Sequence, residues 1–139
     1  MVTGAGDQSE VTVLLVEDDP EIAALYALRL RMDGITVHIA RDATTAQIIF
    51  RRARPSVVCM DHRLPDGPGV PLAREFIRTG TPVIILTNDQ EGFENPPPGV
   101  ARALLKMRTP PAALVATIRD VAATGSSRVS ANGTTRQAS

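Results

Sequence analysis

Five side chains in this sequence stand where short apolar runs end. Glu17 and Asp18 follow VTVLLV, Asp61 follows SVVCM, Thr87 ends the run that begins PVIIL, and Lys106 follows ARALL. Three carboxylates brought together repel one another unless a hard cation sits among them, and oxygen ligands with room for water suit Mg²⁺. A lysine ammonium and a hydroxyl beside that cluster would equip it for phosphoryl transfer. A carboxylate can attack phosphorus in line to give an acyl phosphate while cation, ammonium and hydroxyl hold the charge on the other oxygens. Asp61 stands alone at its run and is the candidate nucleophile. Glu17 and Asp18 are adjacent and suit holding the metal.

This chemistry requires the runs to be parallel strands. Val11 to Val16, Ile35 to Ala40, Ser56 to Met60, Pro82 to Leu86 and Ala101 to Leu105 start 24, 21, 26 and 19 residues apart, the spacing of βα units. Most are rich in Val and Ile and are near-continuously apolar rather than alternating, which marks strands covered by helices on both faces. In such a sheet all five residues lie on the carboxyl edge, where open α/β sheets bind ligands. If the first and third strands are neighbours, the three carboxylates converge.

The helices have local signals. Asp19 and Pro20 form an N-cap and N1 pair, with Ile22, Leu25, Tyr26, Leu28 and Met32 as an apolar stripe before Gly34. Asp42 caps a second helix through Ala53, with Ala46, Ile49, Phe50 and Ala53 inward, ended by Pro55. A third starts after Gly69, packs Leu72, Phe76 and Ile77, and stops at Gly80. The last starts at Thr109 and Pro110 and turns Leu114, Ile118 and Val121 to one side. Between the fourth and fifth strands, NDQEGFENPPPG allows at most one helical turn near Asp89 to Glu94.

Composition removes other classes. The 139 residues make one domain, and 15 basic against 15 acidic residues offer no broad field for nucleic acid or an anionic membrane. Cys59 alone excludes an intrachain disulfide and fits a reducing, cytoplasmic setting. No run reaches the ~18 apolar residues of a membrane span. Residues 1–10 and 125–139 are small and polar and are expected to be disordered. A phosphate-cradling GxxxxGK loop is absent, and neither His38 nor His62 has a partner at metal-ligand spacing.

VLLVEDDP, VVCMDHRLPDGPG, PVIILT and LLK, in that order and spacing, resemble the receiver domain of two-component response regulators. The resemblance covers residues 11–124. It implies a flavodoxin-like (βα)5 fold with a parallel five-stranded sheet of order 2-1-3-4-5, here with the fourth helix shortened or replaced by the Pro-rich loop. It implies Asp61 as phospho-acceptor, Thr87 as switch hydroxyl, Lys106 as the family's lysine, and Mg²⁺ held by Glu17, Asp18, Asp61 and the backbone carbonyl of Arg63. Pro65 and Gly69 match the loop after the acceptor. The expected function is that of a single-domain response regulator. It would take a phosphoryl group from a histidine kinase or phosphotransfer protein docked near the first helix, and signal through a downstream protein or by phosphorelay. Beyond self-phosphorylation and autodephosphorylation no enzyme activity is expected, nor nucleic-acid or membrane binding. A weak homodimer stays open. A haloacid-dehalogenase-type phosphatase would need a second Asp where Arg63 stands.

Some positions depart from the family pattern. Asn88 stands where a small residue usually follows the switch hydroxyl, Met107 where proline follows the lysine, and Ala103 where an aromatic is common. Arg63 and Asp89, two residues past Asp61 and Thr87, carry opposite charges that could pair across the mouth of the site. An alternative reading of the chain is a phosphorylation-independent pseudo-receiver, a docking module using Phe93 and the prolines.

Overall fold

The computed structural model describes residues 10–130. The expected disorder of Met1 to Glu10 therefore falls, Glu10 apart, outside the described residues, as does that of 131–139. Five parallel strands form the sheet: β1 (Thr12–Val16), β2 (Thr36–Ala40), β3 (Val57–Met60), β6 (Val83–Thr87) and β7 (Arg102–Leu105), in the order β2-β1-β3-β6-β7. Counted along the chain without the hairpin described below, this is the expected 2-1-3-4-5 order. The central runs, β1, β3 and β6, form strands because Val and Ile suit a pleated surface covered on both sides, while the edge strands β2 and β7 are partly exposed.

Successive residues along each strand point to opposite faces, and the core is accordingly divided in two. Val13, Leu15, Cys59, Ile84 and Leu86 face α1 (Pro20–Met32) and α5 (Pro111–Ser130), where Tyr26, Leu30, Leu114 and Ile118 meet them. Leu14, Val16, Val58, Met60 and Ile85 face α2 (Ala43–Ala53) and α3 (Val70–Arg78), where Ala46, Leu72 and Phe76 cover them. The Phe50 and Phe76 rings stack with centroids 4.2 Å apart.

Two expectations need correction. Leu25, Leu28 and Met32 are not part of the core: they are 61, 60 and 72% exposed, and α1 buries Ala23, Tyr26, Ala27 and Leu30 instead. Both faces of this helix are apolar, so periodicity alone does not choose between them. The face carrying Ala23 and Ala27 is the one packed on the sheet, with Tyr26 sealing it by donating its hydroxyl to the Thr109 carbonyl at 2.7 Å. The second correction concerns the C-terminal boundary. α5 passes through Gly125 and continues to Ser130, so the expected start of the tail lies within the helix. One glycine in a helix costs only about 1 kcal/mol, which a long helix tolerates.

The gap between β6 and β7 holds the single helical turn expected there, α4 (Gln90–Glu94), capped by Asp89 through the Gly92 N–H. Phe93 is half-buried. Shortly after Asp61 the chain also forms a small antiparallel hairpin that no expectation included, β4 (Arg63–Leu64) with β5 (Gly67–Pro68).

Burial pushes the Cys59 thiol up to about 12, and its side chain is fully enclosed. Only the thiolate is nucleophilic. Iodoacetamide at pH 8 is therefore expected to leave native Cys59 unmodified and to alkylate it once denaturant unfolds the chain. Mass spectrometry reads the result, and native labelling at the rate of a free thiol would contradict the packing of β3.

Candidate functional site

Strand register brings the expected residues to one edge. Val16 pairs with Met60, so Glu17 and Asp61 leave β1 and β3 at the same level, and Thr87 pairs with Leu105, the residue before Lys106. The strand ends are fixed by backbone bonds from Asp61 N–H to the Val16 carbonyl and from Glu17 N–H to the Ala40 carbonyl.

The Lys106 ammonium lies between two of the carboxylates, 2.6 Å from Asp61 Oδ2 and 2.7 Å from Glu17 Oε1. Glu17 is 3% exposed and Asp61 9%. Glu17 Oε2 accepts the Asp19 N–H at 3.0 Å, and Asp61 Oδ1 accepts the Arg63 N–H at 3.2 Å. Burial raises the Glu17 carboxyl above its ordinary value, against the opposing pull of Lys106 and the Asp19 N–H. Burial also works to lower the Lys106 ammonium, but its bonds to Asp61 and Glu17 outweigh that and raise it. Asp18 is exposed beside them, and carboxylate oxygens of Glu17, Asp18 and Asp61 all lie within 4.8 Å of one another. An all-oxygen donor set of this kind, partly open to water, fits Mg²⁺. Arg63 faces Pro68 across the hairpin. Proline has no N–H to give, so the Arg63 carbonyl is not taken up by that partner.

Thr87, 1% exposed, accepts the Asp89 N–H on Oγ1 at 3.0 Å, which leaves its own proton free to donate. Asp19 is a cap and not a ligand: its Oδ1 accepts the N–H groups of Glu21 and Ile22. The charges expected to pair across the mouth do so, with Arg63 Nε 3.5 Å from Asp89 Oδ2.

Some contacts had no signal in the sequence. His62 turns toward α4, with Nε2 3.6 Å from Asp89 Oδ2, and its ring packs so closely on Gly92 that a Cβ there would lie 2.4 Å from His62 Cγ. Asn88 Oδ1 accepts the Met107 N–H at 2.9 Å. Asp66 accepts the N–H groups of Ala43 and Thr44 at the start of α2. Those bonds hold its carboxyl below the usual range, the Ala43 bond most of all. Each such pair joins segments far apart in the chain, so no local pattern announces it.

A doubly wound five-stranded sheet with this acidic edge, lysine and hydroxyl defines a receiver module of the phosphotransfer signalling type. Residues 13–110 match the model of the response regulator receiver domain, and the chain belongs to that family. It is 37% identical over 83 residues to "Probable transcriptional regulatory protein TcrX" of Mycobacterium tuberculosis, a match covering 58% of this chain and 36% of that protein. It is 30% identical over 82 residues to the DNA-binding response regulator MtrA of Mycolicibacterium smegmatis, again covering 58% and 36%. The match thus spans about a third of the length of these curated relatives. Among solved structures, the BeF3-activated receiver domain of Klebsiella pneumoniae RstA superposes with a TM-score of 0.70 at 29% identity, covering 80% of this chain and 97% of that one. A CheY-like receiver from Methanospirillum hungatei gives 0.75 at 21% identity over 86% and 98%, a likeness of fold.

Lys106→Met removes the cation between two mostly buried carboxylates. In metal-free buffer at pH 7 the variant is expected to lose roughly 3 kcal/mol of unfolding free energy, the lower end for stranding a buried charge. Lys106 favours the Glu17 anion, so without it the Glu17 carboxyl rises further above its ordinary value than in the unmodified chain, and the deficit shrinks as pH falls and the variant's Glu17 takes up its proton first. Urea melts at several pH values measure this; a deficit independent of pH would show that the carboxylates are not the cause.

Proposed function

We propose that this receiver accepts a phosphoryl group on Asp61 from the phosphohistidine of a histidine kinase or phosphotransfer protein. Mg²⁺ would be held by Glu17, Asp18, Asp61 and the Arg63 carbonyl. The single observation that carries the reading is the Lys106 ammonium, fixed at bonding distance from both Asp61 and Glu17 at the open end of the sheet. An Asp61 carboxylate oxygen attacks phosphorus, the bond from phosphorus to the donor's imidazole nitrogen breaks, and an acyl phosphate forms. The metal supplies charge neutralisation for the carboxylates and the incoming phosphoryl oxygens. Lys106 offsets the charge on one side, and the free proton of the Thr87 hydroxyl points to a role as donor on the other.

The output we assign is contact with another protein or onward transfer of the group, in the cytoplasm. The balanced charge of the chain favours a protein partner over nucleic acid. Leu25, Leu28 and Met32 on the outer face of α1 support docking of the phosphodonor there.

Incubation with Mg²⁺ and acetyl phosphate is expected to add the mass of one phosphoryl group, and Asp61→Asn to abolish the gain. No gain in the unmodified chain would overturn the reading in favour of a docking module. The Arg63–Asp89 pair is expected to restrict the access of water to the acyl phosphate. An exposed pair of this kind is worth only ~0.2–1 kcal/mol, so Arg63→Ala should shorten the acyl-phosphate lifetime by no more than about five-fold. An unchanged lifetime would remove the pair from the mechanism.

A further inference from the structure

We propose that Asn88 is a positioning residue for Lys106, acting through the backbone of Met107. The sheet ladder ends at the Thr87 and Leu105 pair, so Lys106 stands just beyond the last residue it holds. Lys106 instead opens a short 3-10 turn, Lys106–Arg108, whose first N–H groups have no partner within the turn. One of them, the Met107 N–H, donates to Asn88 Oδ1 at 2.9 Å. From the far side, Thr109 donates its N–H to the Lys106 carbonyl and its hydroxyl to the Leu105 carbonyl. The root of the lysine is therefore gripped from both sides, and Asn88 supplies the grip on the side of the phosphoryl pocket.

A lysine side chain has four rotatable bonds and loses considerable freedom when its ammonium is confined. Here Nζ must meet two carboxylates at once, each just past the end of a different strand. That is feasible at small entropic cost only if its Cα is already fixed. Two of the positions noted as departures from the family pattern, Asn88 and Met107, are in space joined by one bond. An asparagine acceptor requires an N–H opposite it, which methionine offers and proline lacks. Because an N–H demands an oxygen acceptor, the amide orientation is settled as well, and Nδ2 faces away from Met107.

The segment containing Asn88 gives the bond its significance. Thr87, Asn88 and Asp89 are consecutive, and each joins a different part of the site. Thr87 carries the hydroxyl, Asn88 holds the lysine turn, and Asp89 faces His62 and Arg63 beside the acceptor. Asn88 is exposed and has no hydrogen bond to any of the three carboxylates among the described residues, so its removal should disturb the lysine and leave folding intact.

The test uses the ¹⁵N-labelled full chain, with Asn88→Ala and with Asn88→Asp, which keeps an acceptor oxygen. In Asn88→Ala the Met107 amide should lose its protection from hydrogen exchange, and the Lys106 ammonium protons should exchange with water several-fold faster. Phosphorylation by acetyl phosphate should slow roughly five-fold, the rate equivalent of one hydrogen bond. Asn88→Asp should restore Met107 protection. An unaltered Met107 amide in Asn88→Ala would overturn the proposal, and so would lost amide protection with unaltered Lys106 exchange. The rate readout rests on phosphoryl acceptance by Asp61, but the exchange readouts do not. A chain that takes no phosphoryl group fails the proposed function, while the ammonium exchange still decides the role of Asn88.

Discussion

Three carboxylates crowded at the end of a sheet must be neutralised, and much of this structure follows from that electrostatic constraint. Glu17 and Asp61 are nearly enclosed, and charge in such surroundings is costly without a partner. Lys106 meets both, and backbone N–H groups from Asp19 and Arg63 occupy the second oxygen of each. The cluster is thus tolerated but not saturated. Asp18 remains exposed beside it, and the charge that one lysine leaves over is what a divalent cation would balance. The raised Glu17 carboxyl shows the same tension, since burial there outweighs every contact that favours the anion.

Only a sheet of fixed register can hold charges in this arrangement, which ties the site to the two-sided core. Val13 to Val16 and Val57 to Met60 are wholly enclosed, with alternate side chains committed to opposite faces. A slip of one residue between β1 and β3 would exchange the faces and separate Glu17 from Asp61. Packing of apolar residues that never touch the site therefore sets the distances within it. The rest of the edge is built from short elements: a hairpin after Asp61, one turn of helix after Asp89 and a 3-10 turn at Lys106.

The strands and acidic edge were legible because their signals are local and redundant: short apolar runs, most of them rich in Val and Ile, with Glu17 and Asp18, Asp61, Thr87 and Lys106 at the ends of four of them. The helical turn in place of a full fourth helix was equally readable from Pro96, Pro97 and Pro98. What was hidden involved a choice between equivalent patterns or a meeting of distant segments. α1 is apolar on both sides, and the face carrying Ala23 and Ala27 rather than the bulkier Leu25, Leu28 and Met32 is the one on the sheet. Asp66 capping α2, His62 lying on Gly92 and Asn88 meeting Met107 all join segments brought together only by the fold. Side-chain amides and carboxylates look alike in sequence whether they face water or hold a turn.

Asn88 and Met107 show why departures from a family pattern are better read in pairs than singly. Taken alone, Asn88 crowds the pocket beside the hydroxyl and Met107 loosens the turn after the lysine. Together they make a bond that neither a small residue nor a proline can make, and that bond lies on the route between Thr87 and Lys106. The neighbouring Asp89 binds the other side in the same way, capping α4 while facing His62 and Arg63. Gly92 permits this because any larger residue would collide with the His62 ring. With only one turn of helix after β6, there is little structure beyond these contacts to carry a change at Thr87 outward. The stiffness that a longer helix would give the edge is here supplied by side chains within two residues of the hydroxyl. A phosphoryl group arriving between Thr87 and Lys106 would therefore act first on the bonds of Asn88 and Asp89, and through them on the lysine turn and the hairpin.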